Sequence, residues 1–231
     1  MQERSAAIIV AAGGSSRMQG RDKLWTPLAG RITLARTIDV FEASPLVETI
    51  ILLTSAQRYA DAQILCKSES WQKVASIVIG GPSRQDSVRI GLTTLSRLAP
   101  LCRWVMIHDG ARPLVTSSML EAGWQAVQIH QAVTAAVPVK ETMKLVEEGK
   151  ITATLDRSQL WTVQTPQLFS FPLLLQAHMT PQAPEDVTDD VMLLQRLGHP
   201  VSIFPGSYSN IKITTHDDLL LAEELLQGYS I

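Results

Sequence analysis

The chain lacks nearly every feature that marks a specialised class of protein. Only two of its 231 residues are cysteines, Cys66 and Cys102, which lie far apart and form no C-x-x-C pair. That excludes a disulfide scaffold and a cysteine zinc site and suits a reducing compartment. Aromatic residues make up 5% and charged residues 18%, with a formal net charge of −2, so no global field recruits nucleic acid. No apolar run is long enough to cross a membrane, and the run near the N-terminus passes straight into a glycine turn with no signal-cleavage pattern. A cytoplasmic protein with no membrane and no nucleic-acid partner is the expectation. The Walker A pattern G-x-x-x-x-G-K-[ST] and the dinucleotide fingerprint G-x-G-x-x-G are both missing, as are repeats, low-complexity tracts and linkers. What remains is an ordinary globular composition, 45% apolar. A chain of this length buries roughly 70–75% of its unfolded surface.

What is present is a glycine-serine turn directly after an apolar strand. Ala6-Ala7-Ile8-Ile9-Val10-Ala11-Ala12 is apolar without alternation, as in a strand covered on both faces. Gly13-Gly14-Ser15-Ser16-Arg17-Met18 and Gly20-Arg21-Asp22-Lys23 follow. Glycines let the backbone turn sharply and approach a ligand closely. Successive N–H groups in such a turn form an anion-binding concavity, and Arg17 and Lys23 add positive charge to it. The stretch is therefore a candidate triphosphate site, the ordinary alternative being a strand-to-loop turn with solvated charges.

Strands and helices then alternate. Helical spacing of Leu34, Ile38 and Phe41 is followed by an apolar run from Val47 to Leu53, and a helix-compatible segment from Gln57 by a strand at Val74–Ile79. Val88, Leu92 and Leu95 mark a helix, Trp104–Ile107 a strand, Met119–Ile129 a helix and Ala132–Val139 a strand. The order breaks at about residues 140–171, where two short β-prone runs surround Glu147-Glu148-Gly149-Lys150, a hairpin turn. A helix at about Asp189–Leu197, a strand at Val201–Phe204 and a helix at Asp217–Leu226 complete the chain. The expected fold class is α/β: a single Rossmann-like domain over residues 1–231, its sheet mostly parallel with helices on both faces. A β-hairpin dimerisation arm is inserted at about 140–171, and a lone hairpin is marginal in water unless it packs on something else.

In an open parallel sheet, ligands sit beyond the carboxyl ends of the strands. Here those positions carry Arg17 and Lys23, then Gly80-Gly81-Pro82-Ser83-Arg84-Gln85-Asp86-Ser87, then His108-Asp109-Gly110-Ala111-Arg112-Pro113, then Lys140, Thr142 and Lys144. The first motif is similar to the signature of the nucleotide-sugar-type nucleotidyltransferases. Further motifs narrow the resemblance: Gly80-Gly81-x-x-Arg84-Gln85-x-Ser87-Val88, His108-Asp109-x-Ala111-Arg112-Pro113, Thr142-Met143-Lys144 and Asp156-Arg157 before Leu160-Trp161. Thr165-Pro166-Gln167, Thr188-Asp189-Asp190 and Asn210-Ile211-Lys212-Ile213-Thr214 follow in order. The ordered set, running along nearly the whole chain, resembles the 2-C-methyl-D-erythritol 4-phosphate cytidylyltransferase family.

The resemblance implies transfer of CMP from CTP to 2-C-methyl-D-erythritol 4-phosphate with Mg²⁺, releasing pyrophosphate, in a homodimer. It places Arg17 and Lys23 on the triphosphate, and Ala11, Ala12, Gly13, Gly81 and Ser87 around the nucleotide. Asp109 and Arg112 come at the junction of ribose and acceptor, and Thr142, Arg157, Thr165 and Lys212 on the acceptor phosphate. Arg17, Lys23, Arg157 and Lys212 are thereby the catalytic cations, with no protein ligand to metal assigned. Arg157 and Thr165 are implied to serve the partner subunit's site. Each residue has an ordinary alternative. Asp109 can cap a turn, Arg157 can pair with Asp156, and Lys212, between Ile211 and Ile213, can be the solvent face of a strand. His108 reads as a structural hydrogen-bonding residue, since the chemistry needs no titrating base.

Three positions depart from the family pattern: Ser15 for a second glycine, Leu24-Trp25 after Lys23, and Pro82 where some members carry an aspartate. None removes a cation. A cytidylyltransferase for another alditol phosphate, such as ribitol 5-phosphate, shares most of the first-half motifs. A non-catalytic nucleotide-binding protein is the alternative from a different class, and retention of both Arg17 and Lys23 speaks against it.

Overall fold

The computed structural model describes residues 5–13, 22–180 and 189–228. In chain order its strands are β1 (Ser5–Ala11), two short ones, β2 (Pro27–Leu28) and β3 (Arg31–Ile32), then β4 (Thr49–Thr54), β5 (Val74–Ile79) and β6 (Trp104–Asp109). There follow β7 (Ala132–Pro138), β8 (Lys144–Glu147), β9 (Lys150–Thr154), β10 (Trp161–Ser170) and β11 (Ser202–Pro205). The helices are α1 (Thr33–Ala43), α2 (Tyr59–Ser68), α3 (Arg84–Leu98), α4 (Ser117–His130), α5 (Phe171–Met179), α6 (Asp190–Arg196) and α7 (His216–Gly228).

Successive side chains on a strand point to opposite faces, so an all-apolar strand needs cover on both. β1 sends Ala7, Ile9 and Ala11 into one core, where Leu34, Ile38 and Phe41 of α1 and Leu120 and Val127 of α4 meet them. It sends Ala6 and Ile8 into the other, filled by Val88, Leu92 and Leu95 of α3 and by Phe171, Leu174 and Leu194 from α5 and α6. The seven-stranded sheet runs β11-β7-β10-β6-β1-β4-β5. Its pairs are parallel except for β10, which lies antiparallel between β6 and β7. The mostly parallel sheet with two helical layers is the expected architecture. Among the described residues no helix is long and apolar enough to cross a membrane. Both cysteines are free, and burial pushes each thiol up to about 11.

The arm is shorter than the sequence suggests. Expected over about 140–171, it leaves the sheet where the Val139 N–H meets the Leu160 carbonyl at 3.0 Å, and Trp161–Ser170 is a strand of the main sheet. The polar run Gln164-Thr165-Pro166-Gln167 hides that strand from an apolar-pattern reading. All four are buried, and Gln167 donates to Thr134 Oγ1 at 3.1 Å and to Asp189 Oδ2 at 3.2 Å. The ladder shifts register between Val163 and Gln167, around a cis Thr165–Pro166 bond. Helix α5, which directly follows, is likewise absent from the pattern reading. The hairpin itself is as expected: Glu147 pairs with Lys150 across Glu148 (φ 48°) and Gly149 (φ 77°), both left-handed, as a two-residue type I′ turn requires. Its apolar residues Leu145, Val146 and Ile151 are exposed.

Candidate active site

The carboxyl ends of four strands stop level with one another. Val10 pairs with Asp109, Ala11 with Thr54, and Thr54 with Ile79, so the loops after β1, β5 and β6 open onto one edge. There they enclose a cleft of about 240 Å³, whose described lining includes Ala12, Gly13, Lys23, Gly81, Arg84, Ser87, Asp109 and Lys212. Two glycines make the close approach possible. A Cβ on Gly80 would lie 2.4 Å from Ala12 Cβ and 2.7 Å from Ser87 Oγ, and one on Gly81 2.4 Å from Asp86 Cβ. The Ser87 hydroxyl closes this turn, accepting from the Gly81 N–H at 3.1 Å and donating to the Ser83 carbonyl at 2.9 Å. Ser83 caps α3 by accepting from the Asp86 N–H. The Ser87 side chain therefore shapes this wall of the cleft. Ala11 sits in the core under the cleft rather than in its wall.

Lys23 is presented by a pinned turn. Asp22 accepts from the Leu24 N–H at 3.1 Å, from the Trp25 N–H through its carbonyl at 3.0 Å, and from Arg58 Nε at 2.9 Å. Leu24 is buried in the core with Leu34, and Arg58 stacks over Trp25 at 5.4 Å. Leu24-Trp25 thus anchors the turn. Arg17, with Gly14, Ser15 and Thr188, lies outside the described residues.

A second cleft of about 270 Å³ shares Arg84, Asp109 and Lys212 with the first and adds Arg112, Gln164, Thr165, Gln167 and Asp189. Asp109 stands where the two meet. Its Oδ2 holds Lys212 Nζ at 2.7 Å, and its Oδ1 faces Arg84 Nε at 3.4 Å. Burial alone would raise its pKa, but the charges of Arg84, Lys212 and Arg112 hold the carboxyl well below its usual range. Burial and the neighbouring Arg84 lower the pKa of Arg112. Arg112 donates through Nη1 to the Asn210 carbonyl at 2.7 Å, and its buried Nε has no partner among the described residues. An unsatisfied buried donor is costly, and an anion placed against it would remove that cost. Across both clefts Lys23, Arg84, Arg112 and Lys212 outnumber the carboxylates of Asp109 and Asp189 in the described lining. The place is built for negative charge.

The floor is held by one directed line of hydrogen bonds. The Asp109 N–H donates to Thr165 Oγ1 at 3.0 Å, and Thr165 Oγ1 meets His108 Nδ1 at 3.1 Å. His108 Nε2 meets the Arg112 carbonyl at 3.2 Å. A carbonyl only accepts, so Nε2 carries the proton and Nδ1 accepts from Thr165. Burial pushes His108 down to about 3, which keeps the ring neutral and this direction fixed. His108 is the structural hydrogen-bonding residue that its lack of a chemical task implied. Asn210, fully buried, donates to the Thr165 carbonyl at 2.9 Å and to Gln164 Oε1 at 3.2 Å, tying the loop before Lys212 to β10.

Two sequence expectations change. Thr165, implied to serve the partner's site, is buried in its own chain's cleft, bonded to Asp109 and His108, because β10 runs beside β6. Residues 211–214 are irregular rather than a strand, and Lys212 points to Asp109 because the Ile213 N–H is bonded to the Ala111 carbonyl at 2.8 Å. Thr142 and Arg157 are exposed on the arm and line neither cleft. Arg157 donates to the Lys140 carbonyl at 2.9 Å, while Asp156 accepts from Ser158. Sequence reasoning missed Arg84, Gln164 and Asn210 as site residues. Arg84 and Asn210 stand inside quoted motifs, but nothing in a single sequence says that their side chains turn inward.

A parallel-sheet edge with a glycine turn, a pinned lysine and several cations around one carboxylate defines a nucleotidyltransferase-type cleft. Residues 5–228 match the family model of 2-C-methyl-D-erythritol 4-phosphate cytidylyltransferase. Proteins of that description from Dehalococcoides mccartyi and Alkaliphilus oremlandii are 43% and 44% identical, with 98% and 97% of this chain and 98% and 95% of theirs covered. A crystal structure described as 4-diphosphocytidyl-2C-methyl-D-erythritol synthase from Anaerococcus prevotii superimposes with a TM-score of 0.85 at 28% identity, covering 98% of this chain and all of its own. The chain belongs to the 2-C-methyl-D-erythritol 4-phosphate cytidylyltransferase family.

His108 makes the stability acid-sensitive in a defined window. Its ring takes a proton near pH 6.5 when unfolded and only at about 3 when folded, so between those values the unfolded chain binds more protons. Stability therefore falls as pH drops below about 6.5, by at most about 1.4 kcal/mol per pH unit. Urea unfolding at pH 5 should give a stability lower than at pH 7 by about 2 kcal/mol, and His108→Gln should flatten that slope. Equal stability at both pH values would contradict a buried neutral ring.

Proposed function

We infer that the paired clefts transfer CMP from CTP to 2-C-methyl-D-erythritol 4-phosphate, giving 4-diphosphocytidyl-2-C-methyl-D-erythritol and pyrophosphate. The observation that carries the reading is the cation-lined junction at Asp109, where one cleft opens on the glycine turns and the other on Arg112, Thr165 and Lys212. A phosphate oxygen of the acceptor bonds to the α-phosphorus of CTP as the bond from that phosphorus to the oxygen joining it to the β-phosphorus breaks, and that oxygen leaves with its electron pair as part of pyrophosphate. A phosphate dianion is already nucleophilic, so no serine, cysteine or histidine is called on. The protein's task is to bring two anions together and to stabilise the charge that develops on the α-oxygens and the leaving group. Lys23, with Arg17 from the same loop, takes the triphosphate, and Ala12, Gly13, Gly81 and the turn closed by Ser87 take the nucleoside. Arg112 and Lys212 hold the acceptor phosphate, Lys212 being oriented by Asp109.

Mg²⁺ fits as a passenger on the triphosphate. No three His, Cys, Asp or Glu side chains gather among the described residues, and Asp109 is engaged by Arg84 and Lys212. Phosphate oxygens and water would supply most of its ligands, as is common for this ion, and it would neutralise charge on the leaving group. The family match from residue 5 to residue 228 includes the arm and favours methylerythritol phosphate over ribitol 5-phosphate, and a transferase over a silent nucleotide binder. The test is a substrate panel with pyrophosphate as the readout: CTP, ATP, UTP and GTP against both acceptors. CTP with methylerythritol phosphate should lead by a wide margin. Equal turnover with ribitol phosphate or ATP sinks the specific reading.

The arm supports a homodimer with shared sites. Leu145, Val146 and Ile151 are 48%, 58% and 66% exposed on a hairpin that has no sheet to rest on, and a two-fold partner would cover them. Thr142 and Arg157 ride on that arm outside their own clefts, and a guanidinium is suited to bidentate grip of a phosphate. In a crossed dimer Arg157 completes the partner's acceptor site. Lys23→Ala and Arg157→Ala should each lose roughly 10²–10³ in turnover. Mixed after subunit exchange they should recover about a quarter of wild-type activity, since half the dimers are mixed and one site in each is whole. Mixed dimers that form and stay inactive would show that each arm serves its own subunit.

A further inference from the structure

Behind Asp109 runs a second line of buried charge that the reaction above does not use. Arg84, the first residue of α3, donates through Nη1 to Asp190 Oδ2 at 2.7 Å, while its Nε is 3.4 Å from Asp109 Oδ1. Asp190, at 1% exposure, accepts on its other oxygen from His178 Nε2 at 2.9 Å. His178 is itself buried on α5. Each oxygen of both aspartates has a partner along the line His178–Asp190–Arg84–Asp109–Lys212. Burying a carboxylate and a guanidinium carries a desolvation cost that pairing only partly offsets, and apolar replacements of such pairs are often at least as stable. Stability is therefore a weak reason for this network to exist.

Its geometry supplies another. Arg84 lines both clefts, and of its two carboxylate contacts the one to Asp190 is short and the one to Asp109 long. A guanidinium beside a carboxylate tends to take both oxygens in a fork. Freed from Asp190, Arg84 would close on Asp109 in that way and compete for the Oδ2 that now holds Lys212. We propose that Asp190, backed by His178, is a positioning residue: it keeps Arg84 from closing on Asp109 and so leaves Asp109 to orient the Lys212 ammonium toward the acceptor phosphate. The network acts through Lys212 and touches no substrate at Asp190. The proposal rests on the assignment of Lys212 to the acceptor phosphate, and its test separates the two.

The experiment is a double-mutant cycle on the full-length enzyme, with kcat and KM measured for CTP and for methylerythritol phosphate. Asp190→Asn should lower kcat/KM for methylerythritol phosphate about tenfold or more while changing KM for CTP less than about threefold (a lost oriented charge, smaller than removal of the cation itself). In a Lys212→Ala background the same substitution should cost less than about twofold, because the group it positions is gone. Arg84→Lys keeps a cation in place and so guards against failure to fold. It lacks the separate nitrogens by which the guanidinium holds Asp190 through Nη1 while its Nε faces Asp109, and should show the same pattern. Losses of equal size in both backgrounds, or equal effects on the two substrates, would make the network purely structural and overturn the proposal. A Lys212→Ala enzyme of near wild-type activity overturns the assignment of Lys212 and the proposal with it. Asp190→Asn and Arg84→Lys enzymes of wild-type activity, beside an inactive Lys212→Ala, overturn the proposal alone.

Discussion

Everything at the strand edge is arranged around the burial of one ionised carboxylate. Asp109 ends β6 almost out of contact with water, and a charge there persists only because cations surround it. Arg84 comes from the start of α3, Arg112 from the loop after β6, and Lys212 from the irregular segment before α7. Three elements distant in sequence are thus drawn to one point. Asp109 and Asp190 together balance only part of the charge of Lys23, Arg84, Arg112 and Lys212, so the clefts on either side of Asp109 keep a positive field suited to anions.

The polar scaffold under Asp109 has a direction, and the direction matters. Asp109 N–H, the Thr165 hydroxyl, the neutral His108 ring and the Arg112 carbonyl form a line in which every donor has one acceptor. Asn210 ties the Lys212 loop to the same stretch of β10 through Thr165 and Gln164. The side chains that line the clefts thereby stand on hydrogen-bonded neighbours, and on the proposed function that is the arrangement by which fixed charges act on a transition state rather than being spent on moving side chains. Among the described residues, the cations aimed at the clefts and the hydrogen bonds that fix them together account for a site that needs no nucleophile of its own.

Much of this is legible from the sequence, for identifiable reasons. The continuous apolar runs at β1 and β4 and the helical spacing of Leu34, Ile38 and Phe41 are strong periodic signals, and they gave the sheet and its layers. The Glu148-Gly149 turn announced the hairpin. β10 is not legible, because its middle is polar and its polar groups meet partners distant in sequence, such as Thr134 of β7 and Asn210 of the irregular segment before α7. For the same reason the sequence pattern runs the arm on through β10, and it carries no sign that Thr165 lines its own chain's cleft. Lys212, Asp109 and Arg112 were found through motif resemblance. The inward turn of Arg84 and the burial of Asp190 are tertiary facts with no local signature.

On the proposed function, nucleotide and acceptor phosphate meet at Asp109, with the arm delivering Arg157 from the other subunit. The most direct measurement is a crystal structure of the full chain with CTP, Mg²⁺ and methylerythritol phosphate, trapped by Lys23→Ala. The triphosphate should lie over Gly13, the base against the Gly80–Ser87 turn, and the acceptor phosphate between Lys212 and the Arg157 guanidinium of the adjoining subunit. A nucleotide bound elsewhere, or an Arg157 folded back onto its own chain's cleft, would contradict it.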